Sequence, residues 1–318
     1  MLSMEHDIRV GRYRVGTVAE VKIRKSVERL CDEATVVLPG RYAGEVLDVE
    51  DVLKMGDQVS IKLGYGRNLK TEFEGYVKAI RSDDGTTTIE CEDELWQMRR
   101  DVPDKVYKNI DCETLLKEVC GCPVSCDYSF RWDTFTVKGA TAYDVLKKVQ
   151  DETKANIYFK GGTLHVHPQY KEYGATVVYD TGVNVESSSL KWRRADERSY
   201  LIEVEGIGKD GKRITVTEGR TGGDKRSVKV YGVTDKESLK ARAKEELAML
   251  VYTGYEGSIE GWLTPYCEPT YRVRLKDSEH PDREGEYYCV STEVEFSSGG
   301  GKRKVTIGKK IAGAPAEQ

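Results

Sequence analysis

Cysteine is the residue type whose spacing first suggests chemistry in this sequence. Eight cysteines occur, and four of them, Cys112, Cys120, Cys122 and Cys126, fall within one short segment. Four thiolates can hold a structural zinc ion, but such sites usually use two Cys-x2–4-Cys pairs that are well separated along the chain. This set is compressed, and Cys112 falls on a predicted helix. We therefore predict reduced, partly buried thiols, and the spacing leaves a metal site or a disulfide open as alternatives.

Two of the four histidines, His165 and His167, share one face of a predicted strand. A His-x-His pair can bind a metal ion. Here Leu164 and Val166 alternate with the histidines, which is the pattern of a strand with one solvated face. The sequence therefore predicts that both histidines face solvent on a hairpin, and it indicates no metal ligand.

The sequence does not indicate a catalytic or cofactor-binding constellation. An enzyme needs a nucleophile and a base that converge, and four histidines offer few bases. The glycine-rich segment Gly219–Lys225 lacks the spacing of a phosphate-binding loop. No pair stands out among the 54 acidic residues. We predict that the protein is not an enzyme and has no catalytic, cofactor-binding or metal site.

The charge balance excludes several classes of partner. The chain has 50 Lys plus Arg against 54 Asp plus Glu, and the two signs are interspersed. Sequence-specific nucleic-acid binding needs a clustered basic surface, which this pattern lacks. The first residues become charged at Glu5, and no apolar run has the length of a membrane span. We expect no membrane partner, cytoplasmic synthesis and a final location reached by assembly.

Alternation of apolar and polar residues dominates residues 1–100. Ala19, Val21 and Ile23 alternate with charged residues, and the pattern returns in 56–64, 73–77 and 87–91. Short alternating strands separated by turns are typical of small antiparallel barrels. We predict a first β-barrel domain here.

Helical periodicity marks residues 101–170. Asp111 can cap one short helix, and Thr141–Asp144 is a capping-box start to another. Residues 156–167 alternate around Gly161-Gly162, which predicts a hairpin. These features indicate a small α+β insert domain.

The β pattern resumes in residues 171–311, for which we predict a second β-barrel domain. It contains one long helix, with a capping-box pattern at Thr234–Glu237 and an apolar stripe at Leu239, Ala243, Leu247 and Leu250. Residues 312–318 should be a loose tail. The expected fold class is β-rich α+β, with two antiparallel β-barrel-like domains flanking a small α+β domain.

The two β regions repeat one order of events. In the first, a strand at 59–63 is followed by a Gly75-Tyr76 strand start, a glycine hairpin and a strand around Ile89. In the second, the same order occupies 271–275, 285–290, 299–301 and 305–307. Identity is too low to establish a duplication, so two related barrels stay a hypothesis.

These segments resemble the late control gene D family of phage tail proteins, which includes baseplate hub proteins of contractile tails. The resemblance extends over nearly the whole chain, and its motifs are those of barrel strands. The residues that carry it, which we expect to be structural, are Gly56, Asp57, Val59, Ile61, Leu63, Gly64, Phe73, Gly75, Val77, Gly285, Tyr287 and Val290.

The resemblance implies a structural role in a phage tail or related injection machine. Family members are typically homotrimers whose paired barrels form a ring of pseudo-sixfold symmetry between the tail tube and the spike. The implied partners are copies of the chain itself, the tail tube, other baseplate proteins and a separate spike protein. A separate spike is expected because related spike proteins fuse a further barrel and a needle to this region, whereas this chain ends soon after Ile307.

Two other functions are compatible with small β-barrels: a stand-alone module that binds glycan or nucleic acid, and a component of a cell-wall hydrolase. Nineteen tyrosines make the binding module worth testing. Aromatic platforms for bases are interleaved with basic residues, yet Tyr287 and Tyr288 follow Glu284 and Glu286. Tyrosine also enriches protein interfaces, which favours an assembly subunit.

Overall fold

The computed structural model of the protein describes residues 3–39, 41–42, 45–46, 52–83, 85–208 and 210–313. Strands make up 54% of the chain and helices 15%, so the predicted β-rich α+β class is confirmed. In this described part, no helix has both the length and the apolar character needed to cross a membrane.

The strands follow one another in this order: β1 (Met4–Val10), β2 (Tyr13–Val15), β3 (Glu20–Ser26), β4 (Glu33–Pro39), β5 (Arg41–Tyr42), β6 (Glu45–Val46), β7 (Gln58–Tyr65), β8 (Asn68–Asp83), β9 (Thr86–Glu92), β10 (Lys105–Asp111), β11 (Val124–Cys126), β12 (Arg131–Val137), β13 (Ala155–Lys160), β14 (Thr163–Pro168), β15 (Thr176–Asp180), β16 (Ser187–Ser188), β17 (Lys191–Arg193), β18 (Tyr200–Ile207), β19 (Arg213–Gly219), β20 (Asp224–Tyr231), β21 (Gly254–Trp262), β22 (Arg272–Lys276), β23 (Gly285–Ser297) and β24 (Gly300–Gly313). The α-helices are α1 (Cys112–Cys120), α2 (Ala142–Thr153) and α3 (Lys236–Leu250), and short 3-10 helices cover Glu94–Met98 and Pro281–Arg283.

The chain folds as two compact units, and neither is continuous in sequence. The first unit contains residues 1–96, 174–191 and 256–318, and the second contains 97–173 and 192–255. The expected second barrel domain, residues 171–311, is therefore divided between both units. Residues 192–255 belong to the second unit, whereas β23 returns to the first unit, where it pairs with the N-terminal strand β3. Strand β24 runs to Gly313, two residues into the expected tail 312–318, and residues 314–318 lie outside the described part.

Most strands of the first unit form one sheet with two halves of the same strand order. The first half has the order β1-β7-β8-β9-β4-β3, and the second has β15-β22-β23-β24-β21-β16. The halves differ at one end, where β1 is antiparallel to β7 but β15 is parallel to β22. This shared strand order matches the order of strands and glycine turns that recurs in the two β regions of the sequence.

The two halves are joined by an antiparallel ladder between β3 and β23, here called the sheet junction. It pairs Glu20–Ser26 with Ser291–Ser297. Each half also has a β-bulge at a corresponding place. The register shifts between Val77 and Ala79 on β8, and between Cys289 and Ser291 on β23. A bulge bends a strand and increases its twist, so both strands change direction at this point.

The core of the first half follows the alternation in the sequence. Val21 and Ile23 are buried on β3, and they pack with Val36, Ile61 and Ile89 from neighbouring strands. Ala19 precedes β3 and is exposed, so the prediction that Ala19 belongs to this strand and faces the core is wrong.

Helices α1 and α2 of the second unit begin at the caps predicted from the sequence. The Asp111 Oδ1 atom accepts the Thr114 N–H at 2.9 Å. Thr141 and Asp144 make the reciprocal bonds of a capping box. The hairpin β13–β14 turns at Gly161-Gly162, both with positive φ, and β11 adds in parallel beside β14. These predictions are confirmed.

Helix α3 of the second unit packs on the sheet β19-β18-β20. Its N-cap is Asp235, whose Oδ2 atom accepts the Ser238 N–H at 2.8 Å, so the predicted cap at Thr234 is wrong by one residue. The Thr234 hydroxyl donates to Asp133 instead. Position 206 requires glycine, since a Cβ there would lie 2.3 Å from the Val233 carbonyl oxygen.

Candidate functional site

The motif residues of the first half lie on and before β7 and β8. The Gly56 N–H donates to the Val77 carbonyl at 2.8 Å, and the Val77 N–H donates to the Asp57 carbonyl at 2.9 Å. This pair of bonds fixes the entry into β7. The apolar motif residues are all buried in one core: Val59, Ile61, Leu63, Phe73 and Val77.

Two motif glycines lie where another backbone passes too closely for a side chain. A Cβ on Gly64 would lie 2.2 Å from the Asn68 carbonyl oxygen, and one on Gly75 would lie 2.1 Å from that of Glu92. Real Cβ atoms do not approach an oxygen so closely, so both positions require glycine or a shifted strand.

The motif residues of the second half lie on β23. Gly285 pairs with Leu275 on one side and Gly313 on the other. Tyr287 is fully buried, and its hydroxyl donates to the Arg283 carbonyl. The two motif groups therefore do not converge on one site. The motif residues on β8 and those on β23 lie on corresponding strands, each of which contains the bulge of its half, while the other motif residues lie on or before β7.

The strand segments that follow the two bulges differ in their neighbours. After the bulge of β23, residues Ser291–Ser297 pair with β24 on one side and with β3 at the sheet junction on the other. After the bulge of β8, residues Ala79–Arg81 pair with β9. In the described ranges no strand lies on their other side, and we call Ala79–Arg81 the open edge of β8. At the far end of the sheet, β16 pairs with β21 alone among the described strands.

Opposite charges line the sheet junction. The Arg24 Nε atom lies 3.3 Å from the Glu293 Oε1 atom, and these two residues are directly paired in the ladder. Lys22 stands opposite Glu295. Cross-strand pairs of opposite charge favour one pairing partner and register over others. The junction thus has a hydrophobic side in the core and a charge-matched side facing solvent.

A buried ion pair holds the segment between β21 and β22 in the first unit. The Arg303 Nη2 atom lies 2.6 Å from the Glu72 Oε1 atom, and both side chains are at most 3% exposed. Arg303 also donates to the carbonyls of Leu263 and Cys267 at 3.1–3.2 Å. Burial raises the pKa of Glu72, and the Arg303 charge opposes that rise.

Sequence reasoning missed this pair, although a signal was present. Arg303 occupies the inward position of an alternating strand, in line with the buried residues Val305 and Ile307. A charge at a core position of a strand predicts a buried partner. The partner Glu72 is 231 residues away, so its identity could not be read from the sequence.

Two carboxyl groups lie close together beside β3 and β9. The Asp93 Oδ2 atom accepts the Asp32 N–H at 2.9 Å, and the Asp32 Oδ1 atom accepts the Ser26 N–H at 3.1 Å. Burial raises the pKa of Asp32 to about 7, with the Asp93 charge as the second cause. Burial also raises the pKa of Asp93, to about 6. Asp32 and Asp93 are 61 positions apart, and no local sequence pattern predicts that they meet.

The histidine pair lies partly in the interior of the second unit. His165 is half-buried, but His167 is only 9% exposed, so the predicted solvent exposure is wrong for His167. Its Nδ1 atom lies 2.8 Å from the Asp127 Oδ1 atom, and its Nε2 atom lies 3.3 Å from His165 Nδ1. The local hairpin pattern could not show that Asp127, after β11, covers this face. The part of the chain that the structure describes contains no group of three His, Cys, Asp or Glu residues able to hold a metal ion.

The fold is similar to that of solved phage tail proteins. A tail protein from Neisseria meningitidis MC58 has a TM-score of 0.66 and 16% identity, with 96% of each chain covered. The 43 kDa tail protein of prophage MuSo2 from Shewanella oneidensis has a TM-score of 0.64 and 16% identity, covering 96% of this chain and 98% of that one.

A third similar structure is an Escherichia coli component of the type VI secretion system, described as similar to the T4 bacteriophage tail proteins gp27 and gp5. It has a TM-score of 0.58 and 8% identity, covering 98% of this chain and 80% of that one. At these identities the likeness establishes the fold. No family model matches the sequence, and no curated protein matches it significantly.

Proposed function

We propose that the protein is a non-enzymatic baseplate hub subunit of a contractile phage tail or related injection machine. In this role three copies form a ring that joins the tail tube to a separate spike protein. The observation that carries the proposal is the pair of corresponding β-bulged strands, of which β23 is paired at the sheet junction while β8 has an open edge.

The sheet junction supplies a pattern for contacts between copies. Within one chain, β3 of the first half pairs with β23 of the second half. The corresponding contact between chains would pair β16, which takes the place of β3, with the open edge of β8, which takes the place of β23. The two surfaces are unlike, so the contact is heterologous, and a heterologous contact closes into a ring when its rotation permits.

Three chains with two halves each would give six similar units around the ring. Such a number fits a sixfold tube above and a threefold spike below. The structural neighbours support this role, since they are tail proteins and a secretion-system component. Synthesis in the cytoplasm followed by incorporation into the tail completes the proposal.

Light scattering on a sizing column tests the ring. We expect a mass close to three times the 35.8 kDa of one chain at micromolar concentration. Because ring closure can need the tube or the spike, the measurement should be repeated with those partners. A stable twofold dimer in both conditions would contradict the proposal.

Cross-linking tests the contact itself. The double variant Arg81→Cys with Ser188→Cys should form disulfide-linked dimers and trimers on a non-reducing gel, because position 81 lies on the open edge of β8 and position 188 on β16. Each single variant and the unchanged chain are the controls. A disulfide that joins the same position in two chains would indicate a twofold contact and exclude the ring.

The alternative binding module makes a different prediction. Retention on polyuridine or cell-wall glycan, compared with a buffer blank, would favour the alternative over the hub.

A further inference from the structure

The four clustered cysteines of the second unit are not equivalent in the fold. Cys112 is the first residue of α1 and is fully buried, whereas Cys126 ends the short strand β11 and is half-buried. Their side chains share a hydrogen bond, although 13 residues separate them in the sequence. Cys120 is buried at the end of α1, and Cys122 is half-buried in the following turn.

The hydrogen bond shifts the pKa values of the two thiols in opposite directions. The contact with Cys112 is the main cause that lowers the pKa of Cys126, while burial and the charges of Glu113 and Asp127 oppose it. The same bond and burial raise the pKa of Cys112 well above its ordinary value. A partly exposed thiol of lowered pKa beside a second thiol is the usual arrangement of a redox-sensitive cysteine pair.

We propose that Cys112 and Cys126 form a redox-active dithiol, which closes to a disulfide when the chain meets a small-molecule disulfide such as oxidised glutathione. This dithiol does not depend on the hub function. Among the alternatives left open by the cysteine spacing, this dithiol corresponds to a disulfide that forms reversibly.

The reaction proceeds in two balanced exchange steps. The Cys126 thiolate attacks one sulfur of oxidised glutathione, the glutathione disulfide bond breaks, and one glutathione thiolate leaves. Cys112 then loses its proton to solvent, and its thiolate attacks the Cys126 Sγ atom. The second glutathione thiolate leaves, so two protein thiols are oxidised and one glutathione disulfide is reduced to two thiols.

The disulfide between Cys112 and Cys126 would hold β11, a strand with few pairing contacts. Strand β11 lies at the edge of the sheet β11-β14-β13 and is paired over three residues only, Val124–Cys126 with Leu164–Val166. A disulfide to the first residue of α1 ties this edge to the helix that packs beside it. The dithiol thus gives the second unit a reduced form with a loosely held edge and an oxidised form with a fixed one.

A second thiol pair serves as an internal control. Cys267 and Cys289 of the first unit also share a hydrogen bond, but both are fully buried. Access to the oxidant is the main difference between the pairs. The Cys267 and Cys289 thiols should therefore stay reduced under conditions that oxidise Cys112 and Cys126.

The test uses the full chain, reduced and then incubated with oxidised glutathione without denaturant. Free thiols are blocked with N-ethylmaleimide after unfolding, and tryptic peptides are analysed by mass spectrometry. Cleavage after Lys108, Lys117 and Arg131 places Cys112 on one peptide and the other three clustered cysteines on a second, so fragment ions must assign the linked sulfur. We expect a link between Cys112 and Cys126 and a fall from eight free thiols to about six.

Single variants separate the two steps. Cys112→Ser should stop at a glutathione adduct on Cys126, because no second thiol resolves it. Cys126→Ser should leave Cys112 reduced. Cys122→Ser is the matched control, since Cys122 is also half-buried, and it should form the link at the rate of the unchanged chain.

Several results would overturn the proposal. In the unchanged chain, Cys112 and Cys126 could both remain free thiols after incubation. A glutathione adduct could persist on Cys126, or a disulfide could join Cys122 instead. Hydrogen exchange in residues 124–126 should also slow on oxidation and recover on reduction, and an unchanged rate would show that the bond does not hold β11.

Discussion

Removing Arg303 should destabilise the first unit more than the loss of any exposed ion pair. In Arg303→Met the methionine keeps most of the apolar volume but leaves the Glu72 carboxylate, 2% exposed, without its cation. The carbonyls of Leu263 and Cys267 lose their donors as well. Breaking a buried pair by removing one partner costs about 3–5 kcal/mol of unfolding free energy.

The control is an ion pair of the same chemistry at the surface. Arg24 and Glu293 lie 3.3 Å apart at the sheet junction, with side chains 56% and 45% exposed. Exposed pairs contribute roughly 0.2–1 kcal/mol, so Arg24→Met should change stability little. Urea unfolding gives the free energies, and hydrogen exchange of peptides covering 263–268 shows whether the loss is located in the first unit.

A second substitution distinguishes a buried charge from lost packing. With Arg303 absent, burial should raise the pKa of Glu72 further. The folded state then holds a proton that the unfolded state releases above its ordinary pKa, so the stability of Arg303→Met should fall as pH rises. Adding Glu72→Gln removes the charge, and the double variant should be more stable than Arg303→Met at pH 8. Equal losses in Arg303→Met and Arg24→Met, or no gain in the double variant, would refute the reasoning.

Three further predictions concern backbone contact, pH and metal. Gly75→Val should destabilise the first unit by roughly 1–3 kcal/mol in urea unfolding, because its Cβ would clash with the Glu92 carbonyl. Gly16→Val is the control and should have a small effect, because Gly16 lies in open space. Equal urea midpoints for the two variants would show that Gly75 makes no such close contact. The pKa values of Asp32 and Asp93 are raised, so the folded state holds protons that are lost on unfolding, and the free energy of unfolding should fall between about pH 4 and 7. Asp32→Asn should flatten this pH dependence. An unchanged pH dependence would show that other groups cause it. Purified protein should contain substoichiometric zinc and keep its melting temperature in chelator, whereas one tightly held zinc per chain would reverse that prediction.

Local sequence patterns determined the elements of this protein. Alternation located strands such as β3 and β7, and the caps at Asp111 and Thr141 located the starts of α1 and α2. These features succeed because side-chain direction and capping depend on residues within a few positions of each other. The cap of α3 shows the limit of this reasoning. Thr234 and Asp235 are both residue types that cap helix N-termini. Because the Thr234 hydroxyl is bonded to Asp133, Asp235 is the N-cap of α3.

Contacts between distant residues were decided by the tertiary structure alone. The pairing of β3 with β23 makes the first unit discontinuous, and alternation cannot reveal which strand a given strand will meet. Burial of His167 and the pairing of Arg303 with Glu72 depend in the same way on partners far along the chain. The sequence alone determined which residues form strands and which face of most strands is apolar. Only the fold decided which polar groups become buried together, because that depends on the full set of long-range contacts.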